Sequence, residues 1–223
     1  NALFNESQAS DFAEIVVATG VTGRSINIEG IKHPKVLTYT DVVLHKKPVG
    51  KRAAIIGAGG IGFDVAEFLT HSESMNVKTF MKEWGVDMDY QSGGALLIKN
   101  ESLKSPREVF LLQRKKGKLG ERLGKTTGWI HRSALKMKKV KMMDDVTKLK
   151  IDDAGLHILV QGKPMLLEVD NVVICAGQVS NNQLYNKLKE THANVHLIGG
   201  ALEAGELDAK RAIEQGVKVG IAL

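Results

Sequence analysis

A single cysteine, Cys175, stands among the 223 residues. One thiol forms no disulfide within the chain and supplies no cysteine-ligated metal cluster. The seven histidines add no metal site. His192 and His196 are four apart, but Val195-His196-Leu197-Ile198 reads as a strand, so the two rings need not share a face. Proline is scarce, with 4 residues against 23 glycines. Glycine without proline predicts tight turns between regular elements rather than disorder. No run approaches the length of a membrane-spanning helix. Asn1-Ala2-Leu3-Phe4 carries no basic region followed by an apolar core, so no signal peptide is read there. The expected setting is a reducing cytoplasm, with no membrane partner.

Hydrophobic residues make up 43% and charged residues 25%, the balance of a globular chain that can bury a core. The net charge is +6, concentrated at Arg114-Lys115-Lys116-Gly117-Lys118 and Lys136-Met137-Lys138-Lys139. No aromatics interleave with these runs as a base-stacking platform requires. The runs read as a solvated face or as charge of the kind a phosphate-bearing cofactor wants, and nucleic acid is not expected.

Ala13–Gly20 is a short apolar run closed by glycine and reads as a buried strand. A loop follows, then a short helix near Thr38–Leu44 with Thr38 or Thr40 as cap. Lys46-Lys47-Pro48-Val49-Gly50 is polar and holds both helix breakers, so a domain crossing is placed there. Lys51–Ile56 is a strand, followed by a glycine cluster. Phe63, Val65, Ala66, Phe68 and Leu69 then recur at helical spacing. Ser72–Ser105 reads as an insertion with a helical turn or two at Phe80–Trp84 and loops at Gln91–Gly94 and Lys99–Ser102. Val109–Arg114 is a buried strand ending in charge. Thr127–Lys139 reads as a helix, Val140–Asp170 as an antiparallel meander, and Asn171–Gly177 as a buried strand. A polar helix near Ser180–Lys189, a strand at Val195–Ile198 and a helix from about Glu206 complete the chain. The last helix carries Ala209, Ile213, Val217 and Gly220 along one face.

Gly57-Ala58-Gly59-Gly60-Ile61-Gly62 fits G-x-G-x-x-G and stands between a predicted strand and a predicted helix, the context this motif requires. The first glycine makes the tight turn. The second admits a pyrophosphate close to the backbone, and the third lets helix and strand pack tightly. The helix N-terminus then offers free N–H groups and partial positive charge to the phosphates. An NAD site usually places a carboxylate about 20 residues on, at the end of the second strand. Here the insertion intervenes, and the second apolar strand ends at Gln113, Arg114, Lys115 and Lys116 with no carboxylate. Arginine presents a planar fork of donors that matches a phosphate. The dinucleotide is therefore read as NADPH.

Ala18-Thr19-Gly20 and Ala176-Gly177 end two buried strands on either side of this loop. The arrangement resembles two-dinucleotide-domain flavoproteins, in which an NAD(P) domain is inserted into an FAD domain. The expected fold class is α/β, with a Rossmann-like domain at 48–170 inserted into a partial FAD-binding domain made of 1–47 and 171–223. The FAD domain's own glycine loop has no counterpart here, so the chain is expected to start partway through that domain. Gly57–Ala66, Leu111–Lys115, Leu123–Arg132, Asp170–Gly177 and His196–Gly200, continuing into Glu206–Ile213, resemble the bacterial NADPH-dependent 2,4-dienoyl-CoA reductases along nearly the whole chain. Lys125-Thr126-Thr127-Gly128-Trp129 is the most specific part of the likeness. In that family NADPH reduces FAD, electrons cross an iron–sulfur cluster to FMN in an N-terminal barrel, and dienoyl thioesters of fatty acid β-oxidation are reduced. The resemblance implies that this chain is the electron-input portion, an oxidoreductase fragment partnered by a barrel with FMN, without catalytic residues for substrate reduction. It implies NADPH at Gly57, Gly59, Gly60, Ile61, Gly62, Gln113, Arg114 and Lys115. It implies FAD beside Ala18, Thr19, Gly20, Ala176, Gly177, Gly199 and Gly200. Gly23 departs from the family's frequent proline and is expected to loosen a turn. Trp129 is expected in the core and His131 as a hydrogen-bonded helix residue. Two other readings stand beside this one: a related barrel flavoprotein, either an enoate reductase or an amine dehydrogenase relative, and a nucleotide-binding module without catalysis.

Overall fold

The computed structural model describes residues 4–71, 76–97, 104–205 and 208–223. Its elements in chain order are strands β1 (Ile15–Val17), β2 (Val21–Gly23) and β3 (Val36–Thr38), helix α1 (Tyr39–Val43), β4 (Arg52–Ile56), α2 (Gly60–Thr70), α3 (Val77–Glu83) and β5 (Glu108–Leu112). Then come α4 (Gly128–Met137), β6 (Lys141–Met143), β7 (Val146–Asp152), β8 (Gly155–Val160), β9 (Lys163–Leu167) and β10 (Asn171–Ile174). The chain closes with β11 (Gln178–Ser180), α5 (Gln183–Thr191), β12 (Val195–Leu197) and α6 (Ala209–Ala222). They form two compact units, one of Ser25–Ala176 and one of Asn1–Arg24 with Gly177–Leu223.

The larger unit is built on a five-stranded sheet in the order β3-β10-β4-β5-β6, parallel throughout. Its central strands are unbroken apolar runs because both faces are covered. Ile55, Val109, Leu111 and Val173 face Phe63, Ala66 and Leu69 of α2 and Leu135 of α4. The alternate residues Ala54, Ile56, Phe110, Leu112 and Val172 face Val146, Ile151, Leu156 and Ile158 of the antiparallel β7-β8-β9 sheet. This is an α/β fold with a Rossmann-like parallel sheet. The smaller unit pairs β1 with β12 in parallel and β2 with β11 antiparallel. Ala9, Val17 and Leu188 form its buried core.

Several expectations need correction. The stretch after Gly20 is not a plain loop, since β2 and β3 lie in it, and Gly23 ends a strand paired with Gln178 rather than loosening a turn. The meander begins later than expected. β6 joins β5 in parallel, and only β7 to β9 run antiparallel. The cause is connectivity: β6 follows α4, and a strand after a crossover helix returns parallel to its predecessor. The polar stretch at 46–50 links α1 to β4 inside the larger unit, because β3 and β4 both pair with β10. The compact units change instead at Arg24/Ser25 and Ala176/Gly177. Within Ser72–Ser105 the described residues form α3, a short turn at Gly93–Ala95 and a bridge of Val86 to Leu96. The expected loop at Lys99–Ser102 lies outside the described residues, as does the expected helix start at Glu206. α6 begins at Ala209 with Asp208 as its cap. The polar helix starts at Gln183, after the short strand β11. Among the described residues no helix is long and apolar enough to cross a membrane, and no group of His, Cys, Asp and Glu is arranged to hold a metal.

Candidate nucleotide-binding site

β4 ends at Ile56, and the chain turns at once through Gly57, whose φ of +114° favours glycine. The Gly57 N–H donates to Leu112 O at 3.0 Å, tying the turn to the end of β5. A β-carbon on Gly57 would overlap the Cys175 carbonyl, and one on Gly62 would overlap the carbonyl oxygen of Gly57. Gly59 and Gly60 differ: a β-carbon on either would meet nothing within 4 Å. Thus the first and last glycines of the motif serve packing, and the middle two leave a bare backbone facing open space. Ile61 packs against the core cluster beneath α2. No side chain caps α2, and its first turn holds no acidic residue. The N–H groups and positive dipole end are therefore free for an anion. The cradle fits a dinucleotide pyrophosphate.

Beyond β5 the chain enters the basic turn. The Gln113 side chain is engaged within the turn itself. Its amide donates to Lys115 O at 2.9 Å and Gly117 O at 3.2 Å, holding the turn in shape. Asp144 accepts from the Gly117 N–H at 2.7 Å and closes the same turn. Arg114, Lys115 and Lys116 are exposed. Arg114 forms no hydrogen bond or ion pair among the described residues. The structure therefore brings Gly57, Gly59, Gly60, Ile61 and Gly62 into one unit with Gln113, Arg114 and Lys115, at the same end of neighbouring strands.

The remaining candidates divide between the units. In the smaller one, the Ile198 N–H donates to Val17 O at 3.1 Å. Ala18, Thr19 and Gly20 therefore leave the same end of the strand pair as Gly199 and Gly200. Thr19 donates its hydroxyl to Asn181 O, and the Asn181 N–H donates to Gly20 O at 2.9 Å. The Gly199 N–H is taken by Gln215 Oε1 at 2.6 Å. Gly20 and Gly199 have φ of +73° and +64°, and a β-carbon on either meets nothing. This leaves room along a ligand's flank, while the chain holds no second glycine loop for a flavin pyrophosphate. Ala176 packs under the β7-β8-β9 sheet. Gly177, with φ of +98°, opens the return into the smaller unit beside the Arg24 guanidinium.

Other side chains stand apart from the glycine loop and the basic turn. Trp129 is not in the core: it is 55% exposed and stands edge-on to Trp84, their ring centres 6.4 Å apart. His131 Nδ1 meets Glu67 Oε1 at 2.6 Å, joining α4 to α2 as a hydrogen-bonded helix residue. Lys138, in the second basic run, pairs with the buried Glu83 at the end of α3. Burial pushes the Cys175 thiol up to about 12, so it is no nucleophile at neutral pH.

The sequence matches the pyridine nucleotide-disulphide oxidoreductase family over residues 3–202. The chain belongs to this family. The family binds FAD and NAD(P)H, in keeping with the cradle at Gly57–Gly62. A metal reductase of Desulforamulus reducens is 25% identical over 196 residues, which cover 88% of this chain and 29% of that protein. A cinnamate reductase of Clostridium sporogenes is 24% identical over 188 residues, covering 84% of this chain and 23% of that one. The chain thus spans less than a third of the length of these relatives. A solved 2-naphthoyl-CoA reductase in complex with 2-naphthoyl-CoA shares the fold, with a TM-score of 0.72 at 24% identity, over 98% of this chain and 28% of that one.

Proposed function

We propose that this chain is the NADPH-accepting portion of a flavoprotein reductase. The observation that carries the reading is the bare backbone of Gly59 and Gly60 at the uncapped start of α2, beside an exposed basic turn. The pyrophosphate of NADPH lies at Gly57, Gly59, Gly60, Ile61 and Gly62, where N–H groups and the helix dipole neutralise it. Arg114 forks onto the 2′-phosphate and Lys115 adds a point charge. Gln113 shapes the turn that presents them. FAD lies along Ala18, Thr19, Gly20, Gly177, Gly199 and Gly200 of the smaller unit. When bound, FAD supplies the hydride acceptor. With one cysteine this chain supplies no cluster ligands, so no step through an iron–sulfur cluster or FMN is assigned to it. Those groups belong, in this reading, to a barrel partner in the full-length protein, working in a reducing cytoplasm.

The substrate of the whole enzyme in this reading is a 2,4-dienoyl-CoA thioester, supported by the resemblance through Leu123–Arg132. An enoate reductase is the second reading, favoured by the cinnamate and 2-naphthoyl-CoA reductases among the similar proteins. Assaying the full-length enzyme with NADPH against a dienoyl thioester and against a free enoate separates the two.

The nucleotide assignment is tested by titrating NADPH and NADH against wild type and Arg114→Ala. A hydrogen bond to a charged group contributes roughly 1.5–3 kcal/mol, about 10- to 150-fold in affinity. NADPH affinity is expected to fall by about that factor in the variant, with NADH nearly unmoved. Equal weakening of both would assign Arg114 to the fold or the pyrophosphate. A wild type without preference would remove the NADPH assignment.

A further inference from the structure

The basic turn does not stand alone. The Gln113 N–H donates to Met143 O at 2.8 Å, the Val146 N–H donates to Gln113 O at 3.0 Å, and the Asp145 N–H donates to Lys115 O at 3.3 Å. The turn is thereby fastened to the start of β7. Along β7 the side chains alternate: Val146 is buried, Thr147 exposed and Lys148 half-buried. Val146 packs with Ile56 and Leu112, the residues just before the glycine loop and the basic turn. Lys148 follows on the same side of the strand, since the irregularity in β7 pairing falls after it.

Lys148 differs from Lys141 and Lys150, and unlike the exposed Lys115, Lys116 and Lys118 of the basic turn it is half-buried. Lys141 pairs with Glu108, and Lys150 pairs with Asp152 at 3.0 Å. Among the described residues Lys148 has no hydrogen bond or ion pair, and neither does Arg114. Burial, and then the neighbouring charge of Arg114, holds the Lys148 ammonium below the usual lysine range. Asp144 accepts from the Gly117 N–H. Two neighbouring cations, one half-desolvated and neither paired among the described residues, repel each other until an anion comes between them.

The geometry points to Lys148 as a second recognition residue for the 2′-phosphate of the dinucleotide, acting with Arg114 across the turn that ends β5. This rests on the NADPH reading above. The antiparallel sheet thus takes part in choosing the nucleotide, by delivering an ammonium to the end of the parallel sheet's second strand. A phosphomonoester dianion is the ligand chemistry two such cations select.

The test uses isothermal titration of adenosine 2′,5′-bisphosphate, NADPH and NADH against wild type, Lys148→Met and Lys148→Arg. Methionine keeps the apolar stem and removes only the charge. In Lys148→Met the bisphosphate and NADPH are expected to bind about 10-fold more weakly, with NADH unmoved and the melting temperature not lowered. Lys148→Arg is expected to restore most of the loss, and the salt dependence of NADPH binding to flatten in Lys148→Met. If wild type prefers NADPH and Lys148→Met binds it equally well, Lys148 is not a recognition residue, while the NADPH reading stands. Parallel loss of NADH binding or of stability would give Lys148 a structural role only and overturn the inference. A wild type indifferent to the 2′-phosphate would instead overturn the NADPH reading beneath it.

Discussion

Four glycines within six residues span the turn from β4 into α2 where the pyrophosphate is proposed to lie, and their surroundings differ. Gly62 has no space for a side chain, because a β-carbon would overlap the Gly57 carbonyl. Gly62→Ala is therefore expected to force helix and turn apart, at about 1–3 kcal/mol of stability. Lowered denaturant midpoints would register this. Gly59 has φ of −84° and open space around it. Gly59→Ala is expected to leave the midpoint unchanged while abolishing measurable NADPH binding, since its methyl occupies the position a pyrophosphate takes. Unchanged affinity in Gly59→Ala would mean that the pyrophosphate lies elsewhere. Cys175 offers a third check at this scale. A buried thiol raised to about 12 is expected to resist iodoacetamide at pH 8 in the folded protein and to react once unfolded.

Elements hold their ends by different means. α1 is only five residues long and depends on its cap: Asp41 N–H donates to Thr38 Oγ1 at 3.1 Å, while the Asp41 carboxylate accepts from Thr38 N–H at 2.8 Å. Lys47 lies 2.7 Å from the same carboxylate. The Lys47 ammonium, then the Thr38 N–H and hydroxyl, hold Asp41 well below the usual carboxylate range. A depressed folded pKa gives stability that is present above the unfolded value of about 3.9 and is lost as pH falls through the folded value. Asp41→Asn is therefore expected to lower the melting temperature at pH 7, and the gap to wild type to close progressively below about pH 4. A gap independent of pH would make the cap a matter of hydrogen-bond shape rather than charge. α2 is the opposite case. No side chain caps its first N–H groups.

The two units differ in how much they complete by themselves. The larger has apolar clusters on both faces of its sheet. The smaller has paired strands of three residues each and a helix α6 whose Ile213, Val217 and Ile221 are exposed. The stripe expected along α6 is thus present, but it covers no core among the described residues. With no second glycine loop, the 223-residue chain expressed by itself is expected to purify without flavin absorbance and to turn over no dienoyl thioester with NADPH. A yellow preparation with stoichiometric flavin through gel filtration would contradict the first expectation, and turnover the second.

The sequence by itself determined the features that arise within a few neighbouring residues. β4, the glycine turn and α2 form one continuous segment, so their spacing alone predicts the strand–turn–helix unit that the structure shows. The Thr38 cap is equally local, with donor and acceptor three residues apart. The absence of a carboxylate among residues 113–116 is a fact of the chain itself. Only the tertiary structure decided which strands pair. Nothing in the three residues of β3 or β6 tells them apart from a loop or a meander strand, and hydrogen bonds from β10 and β5 settle their place. Trp129 shows the same limit: periodicity predicts an apolar face, but what covers that face depends on α3, far away in sequence. Gln113 stands at the end of β5 by position, and only the folded turn gave its amide two carbonyls to hold. Nothing along β7 distinguishes Lys148 in sequence, until packing half-buries it near Arg114. Local chemistry is written along the chain, whereas burial and charge neighbourhoods are made by segments that meet only on folding.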